Sequence, residues 1–399
     1  MDRTPLPSLD PAAWSAPSAV RRWRGTALAV GLVAAAACLA GWFLDRDQML
    51  RSYLVGWLLW LGVALGSLSL AMIHHLTGGA WGLVIRRQLE AATRTLPLLA
   101  LLSLPLLAGL PAIFLWARPE AVAHDHALHH KAPYLNVPFF VGRTVAMFAI
   151  FGLLAFLLSR WSRRQDEGGG AELGARMRAA SGLGLVLMVL VGTLVSVDWL
   201  MSLDPYWYSS LYGVLFIAGQ ALSALVVAIV VTWLLAGHAP MSAAVTKRHF
   251  HDYGKLLLAF VMFWTYLAIS QYIIMWQANL PEEAVWFQHR THGGWQWVAL
   301  AIVLFHFLFP FLLLLSRSLK QRMPALAGVA LLLLFMRWVD LHWQAAPTFS
   351  PDRLSLHWLD LAAPVAVGGL WLAWFFHELA KRPLLPVNDP HIEEALGHG

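Results

Sequence analysis

The chain has 399 residues, of which 59% are hydrophobic and only 13% charged, far from the roughly quarter-charged mix of a water-soluble domain, and this excludes an ordinary soluble core. Its formal net charge of +6 comes from cations scattered in short segments between apolar runs, which argues for membrane topology rather than a nucleic-acid surface. A single cysteine, Cys38, excludes a disulfide framework, a thiolate-held iron-sulfur cluster and a C-x-x-C-H haem attachment on this chain.

Residues 1–25, MDRTPLPSLDPAAWSAPSAVRRWRG, lack an early apolar core with a small-residue cleavage site and are expected to be a cytoplasmic tail rather than a removable signal. One transmembrane domain is predicted over 26–377 and a second cytoplasmic tail over 378–399. Apolar runs long enough to cross ~30 Å of hydrocarbon occur near 26–44, 53–73, 96–116, 138–158 and 179–203. Five more lie near 209–235, 255–279, 295–315, 324–342 and 359–377. The fold class is therefore all-α: a polytopic integral membrane protein of about ten helices. Trp42, Trp81, Trp116, Trp161, Trp276, Trp295 and Trp343 stand where apolar runs meet polar segments, as interfacial tryptophans do.

The cations test this map independently. Of the 28 Lys and Arg residues, 20 fall on the side that holds both termini, and the positive-inside rule makes that side cytoplasmic. The stretch RRQDEGGGAELGARMR between the fourth and fifth runs is expected to be a solvated cytoplasmic linker, and Glu282 and Glu283 to lie in a wet loop on the opposite side.

Ionisable and polar groups inside a bilayer are the default functional candidates, because each costs at least a few kcal/mol there. On helix seven, Asp252, Lys255, Tyr266, Ser270 and Gln277 share one face at 100° per residue. That stripe reads as part of a proton or water path or, preferably, as interhelical hydrogen bonding, with Asp252 and Lys255 at the cytoplasmic mouth. Helix six carries Ser209, Tyr212, Gln220 and Ser223 on one face, with Gly219 allowing close packing. On the non-cytoplasmic half, Arg143, Asp198, Arg337 and Asp340 lie at similar depth, and Arg337 and Asp340 share a helix face at i, i+3. These four form either a structural charge network or a proton-release or headgroup site. His306 stands mid-helix eight, and His74 and His75 close helix two. A b-type haem would need facing imidazoles at matched depth, so a hydrogen-bonded or proton-relaying His306 is preferred. His126 and His130 in HDHALHH have the i, i+4 spacing of a zinc pair, but the loop reading is favoured.

Several segments resemble a known family, the smaller of the two polysulfide-reductase-like membrane subunits of bacterial alternative complex III. They are HLTGGAWG, HHKAPYLNVPFFVGR, SVDWLMSLDPYWYSSLYG, HDYGKLLLAFVMFWTYLAISQYIIMWQANLPEE and the tail LLPVNDPHIEEAL, spread over residues 74 to about 396. The resemblance implies two four-helix bundles, helices two to five and six to nine, with an outer helix at each end. It implies membership of a quinol:cytochrome c oxidoreductase in the bacterial inner membrane, with no redox cofactor on this chain. Haem c and iron-sulfur clusters are then expected on partners: a multihaem cytochrome c, an iron-sulfur subunit and a larger homologous membrane subunit that acts on the quinone pool. Membrane lipids, but no nucleic acid, complete the expected partners. By the same resemblance the chain supports assembly and carries a candidate proton path on Asp198, His306, Arg337, Asp340 and the helix-seven stripe. The alternatives are a stand-alone ion-coupled secondary transporter, whose sites usually sit on paired broken helices that the Pro and Gly pattern here does not show, and direct quinol oxidation by this chain.

Overall fold

The computed structural model describes residues 11–168, 171–386, 388–392 and 396. Among these, ten helices are long and apolar enough to cross a membrane: α1 (Ser18–Leu44), α2 (Arg46–Thr77), α3 (Trp81–Ala108), α4 (Val137–Asp166), α5 (Glu172–Leu203), α6 (Tyr212–Ala236), α7 (Lys247–Ala278), α8 (Trp295–Leu315), α9 (Met323–Thr348) and α10 (Trp358–Leu379). The described residues form no strand. The chain is an all-α, multi-pass membrane protein.

Most helices outrun the apolar stretch that announced them, because backbone hydrogen bonding continues after the side chains turn polar. The supposed solvated linker is thus largely helix, with α4 running to Asp166 and α5 starting at Glu172. The third run is displaced. Arg86, Arg87 and Glu90 lie inside its first helical segment, Ala80–Thr93. Beyond it, Pro97, Pro105 and Pro111 each open a short helical piece, Leu96–Leu102, Leu104–Ala108 and Leu110–Ile113. Proline lacks the donor that would continue the preceding helix, so the chain winds rather than runs straight through residues 96–113. The segment carrying Glu282 and Glu283 is also helical, Pro281–Thr291, with Glu283 half-buried rather than in open solvent.

Helices α2–α5 pack as one four-helix bundle and α6–α9 as a second, joined where α2 and α5 meet α6 and where α2 meets α9. The outer helices do not stand at opposite ends. Instead α1 and α10 are each other's main neighbours, and α10 also packs on α2. Small residues make this possible: a Cβ added at Gly31 would come within 2.7 Å of the Leu370 backbone nitrogen, and one at Gly66 within 2.9 Å of the Ala221 nitrogen. Backbones approach this closely only where a side chain is missing. Helix α2 is the hub, its apolar window wholly buried. The two ends of the chain meet, the Leu384 N–H donating to the Trp14 carbonyl at 2.8 Å, and define what we call the terminal side.

Candidate functional site: buried charges in a lipid-facing helix bundle

Far from the terminal side, α9 turns Arg337 and Asp340 inward as a buried ion pair, each 3% exposed. The i, i+3 spacing sets both groups on one helix face, and Gly219 of α6 leaves the space that the Arg337 guanidinium fills. Asp340 also forms part of the wall of a cavity of about 320 Å³ bounded by α6, α7, α8, α9 and the Pro281–Thr291 helix. Two hydrogen bonds fix polar groups of its lining. Tyr212 donates to Gln344 Oε1 at 2.6 Å, and Ser209 donates to Gln271 Oε1 at 2.5 Å. The remaining wall is aromatic and aliphatic, with Trp264, Trp286 and Trp343 prominent. Ile269, Tyr272 and Val303 line the cavity and are also about half exposed on the outer surface, so the opening lies between α7 and α8, toward lipid.

The roof is tied down by Arg290, which donates to the Gln344 carbonyl at 2.6 Å and the Trp286 carbonyl at 2.8 Å and lies 3.6 Å above the Trp286 ring. Burial pushes this guanidinium down to about 9, and the carbonyl acceptors and ring face favour its charged form.

His306 lies on a π-helical stretch, Ile302–Leu308, just before Pro310; π-bulges of this kind are frequent at functional sites. The imidazole is fully buried, stacks on Trp264 at 4.1 Å and has no hydrogen-bond partner among the described residues. It faces an indole rather than a second histidine.

The four far-side charges do not form one network. Asp198 of α5 pairs with Arg143 of α4 through two oxygens, at 2.8–3.1 Å, while a third Arg143 nitrogen holds the Tyr134 carbonyl at 3.0 Å. Among the described residues, no ion pair links this bundle's couple to Arg337 and Asp340 in the other. Each pair is neutralised within its own bundle, as breaking a buried pair is costly.

Helix seven turns most of its polar stripe outward. Tyr266 is 66% exposed and Gln277 is also exposed, Ser270 is half-buried, and Asp252 pairs with Lys255 at 3.0 Å near the surface. The inward polar group is Gln271, which a helical wheel sets about 140° from Tyr266. Sequence periodicity identifies a polar face but not which neighbours surround it. On helix six, Gln220 and Ser223 are buried, and Gln220 sits against Gly62 and Gly66 of α2 with no partner for its amide among the described residues.

A second charged cluster, on the terminal side, escapes the hydropathy reading. Arg86 donates to Glu90 at 3.0 Å, Asp389 at 2.6 Å and Gln165 at 3.0 Å. Arg87 bonds Glu90 at 2.7 Å and also pairs with Asp166. Ser162 donates to Glu90 at 2.7 Å, and Arg382 lies 3.5 Å from it. Three guanidiniums thus face three carboxylates, so the buried charge balances. His74 is buried beside this cluster, edge-on to Trp81 at 5.5 Å, with His75 6.0 Å away. The sequence does hold a signal for it, since Arg86 and Arg87 precede Glu90 by four and three residues. Between the two polar regions α6 offers, from Ala224 to Val231, only apolar side chains. His126 and His130 are exposed on a short helix, His126–Lys131, and no three His, Cys, Asp or Glu side chains converge as a metal site among the described residues.

No protein-family model matches the chain, and no curated protein matches it.

Proposed function

We propose that this chain is a membrane subunit of a bacterial respiratory quinol:cytochrome c oxidoreductase of the alternative complex III type, without a redox centre of its own. It sits in the inner membrane with both termini in the cytoplasm, beside a multihaem cytochrome c, an iron-sulfur subunit and a larger homologous membrane subunit. The observation that carries the assembly role is the polar stripe of α7. Tyr266, midway along α7, points away from the chain's own bundles, and polar side chains at membrane depth are satisfied by a neighbouring protein helix at less cost than by hydrocarbon. A stand-alone transporter would keep such groups inward around its site. A photo-crosslinking amino acid at Tyr266 should capture another membrane subunit in native membranes, whereas one at Val33 on α1 should not. Crosslinking to lipid alone from both positions would reject the assembly reading.

Within that assembly, Asp340, paired with Arg337, is the protonatable group proposed to handle protons on the non-cytoplasmic half. The charge asymmetry of the sequence supports the orientation. A second reading, direct binding of quinol by this chain, is favoured by one feature, the cavity's opening toward lipid beside a carboxylate. A photoreactive quinone analogue that labels residues of α7 or α8 would support it, and labelling confined to another subunit would exclude it.

A further inference from the structure

A separate groove lies on the terminal side between α3, α4 and α10, with a volume of about 750 Å³. Its two ends differ in chemistry. The rim gathers Arg94, Arg160, Arg163, Lys381 and Arg382 against three carboxylates, Asp166, Glu167 and Glu378. Asp166 is already committed to Arg87. Glu378 is shared between Arg94 at 3.3 Å and Lys381 at 2.5 Å, and Arg382 is braced by Ser159 at 3.0 Å and lies 3.5 Å from Glu90. Arg160 has no carboxylate within ion-pair distance among the described residues, and Arg163 only a 3.9 Å contact with Glu167 at an exposed position. The rim therefore keeps a positive excess after its internal pairs are made.

The other end is apolar. Leu96, Pro97, Gly152, Ala155 and Phe156 line it, Phe156 is 57% exposed, and a side chain added at Gly152 would meet nothing within 4 Å. On α4 the change from this slot to the cations takes place within one turn, between Phe156 and Arg160, which marks the headgroup boundary of the membrane. Trp374 lies at the same level, its indole donating to the Arg94 carbonyl at 3.2 Å.

We infer that this groove binds one anionic phospholipid, its phosphate held by the rim cations, Arg160 and Arg163 foremost, and one acyl chain laid along the slot past Gly152 and Phe156. A soluble phosphate would use the rim and leave the slot idle. A zwitterionic lipid would use the slot and leave the positive excess unmatched. Basic pockets between helices on the cytoplasmic side take anionic headgroups on this electrostatic principle.

The test uses the full chain, stripped of lipid in mild detergent and titrated with phosphatidylglycerol or phosphatidylcholine under native mass spectrometry. Phosphatidylglycerol should be retained about tenfold better, and the double variant Arg160→Ala, Arg163→Ala should lose that preference. Gly152→Phe, whose Cβ meets no protein atom within 4 Å and whose ring enters the slot, should weaken retention several-fold while leaving the melting temperature unchanged. Excess inorganic phosphate should not displace the lipid. Equal retention of the two lipids, displacement by inorganic phosphate, or unchanged retention in Gly152→Phe would each overturn the assignment.

Discussion

The buried carboxylates are where single substitutions separate structure from function. Asp198→Asn strands the Arg143 guanidinium, which lies over the Tyr134 ring at 3.8 Å, and losing one member of a buried pair costs ~3–5 kcal/mol. The exposed Glu172, 3.6 Å from Arg176, is the control, since such surface pairs contribute ~0–1 kcal/mol. Thermal unfolding of the purified chain should separate Asp198→Asn from Glu172→Gln, and equal melting temperatures would remove the structural role of the Arg143–Asp198 couple. Asp340→Asn carries a second readout. In the assembled complex, quinol turnover that persists with reduced proton release outside would assign Asp340 to proton handling, whereas unchanged release would withdraw that role.

Outside the membrane, Tyr206 clips the segment that begins the short helix His126–Lys131 by donating to Asp125 at 2.5 Å. That bond, followed by burial, holds the Tyr206 phenol up at about 12, and it also keeps the Asp125 carboxyl below its usual value. The sign is opposite for the two partners. Tyr206 contributes fully below the ordinary tyrosine value near 10 and is lost as pH rises through about 12; Asp125 contributes above its ordinary value near 4 and is lost as pH falls through its lowered one. The difference in phenolate absorbance between the chain and Tyr206→Phe should titrate near 12. A midpoint near the ordinary ~10 would show that the clip is not made in solution.

At the scale of elements, the helices were legible in the sequence because ~20 apolar residues have few alternatives in a bilayer. What surrounds each polar face was not, because a helical wheel is silent about neighbours. Tyr266 and Gln271 look alike in sequence, yet one faces outward and the other is buried beside Ser209. Arg337 and Asp340 could be paired from their spacing, whereas the link from Arg86 to Asp389 spans most of the chain and no local pattern reports it. The third helix is displaced from its apolar run for a related reason: Arg86, Arg87 and Glu90 look like loop until their mutual neutralisation is seen. Helix contacts supply their own test. Gly66→Ala places a Cβ against the backbone of α6 and should lower stability by ~1–3 kcal/mol. Gly142→Ala, on the exposed side of α4 with nothing within 4 Å, should be neutral or gain ~0.5–1 kcal/mol. Identical denaturation curves for the two would argue against the close α2–α6 contact.

At the scale of the whole molecule, ten crossings return the chain to the side it started from, where the C-terminal tail closes over the first bundle through Arg382, Asn388 and Asp389. Cysteines placed at the exposed positions Glu167 and Ala127, in a Cys38→Ser background, should label from opposite sides of sealed membranes, Glu167→Cys from the cytoplasm. Labelling of both from one side would break the ten-helix topology. The assembly itself is tested most directly by affinity purification of the native complex through a tag on this chain, with its subunits identified and quinol-dependent reduction of cytochrome c measured. The expected result is co-purification with a multihaem cytochrome c, an iron-sulfur subunit and a larger membrane subunit, together with that activity; recovery of the chain alone, or with other proteins and no quinol:cytochrome c activity, would contradict it.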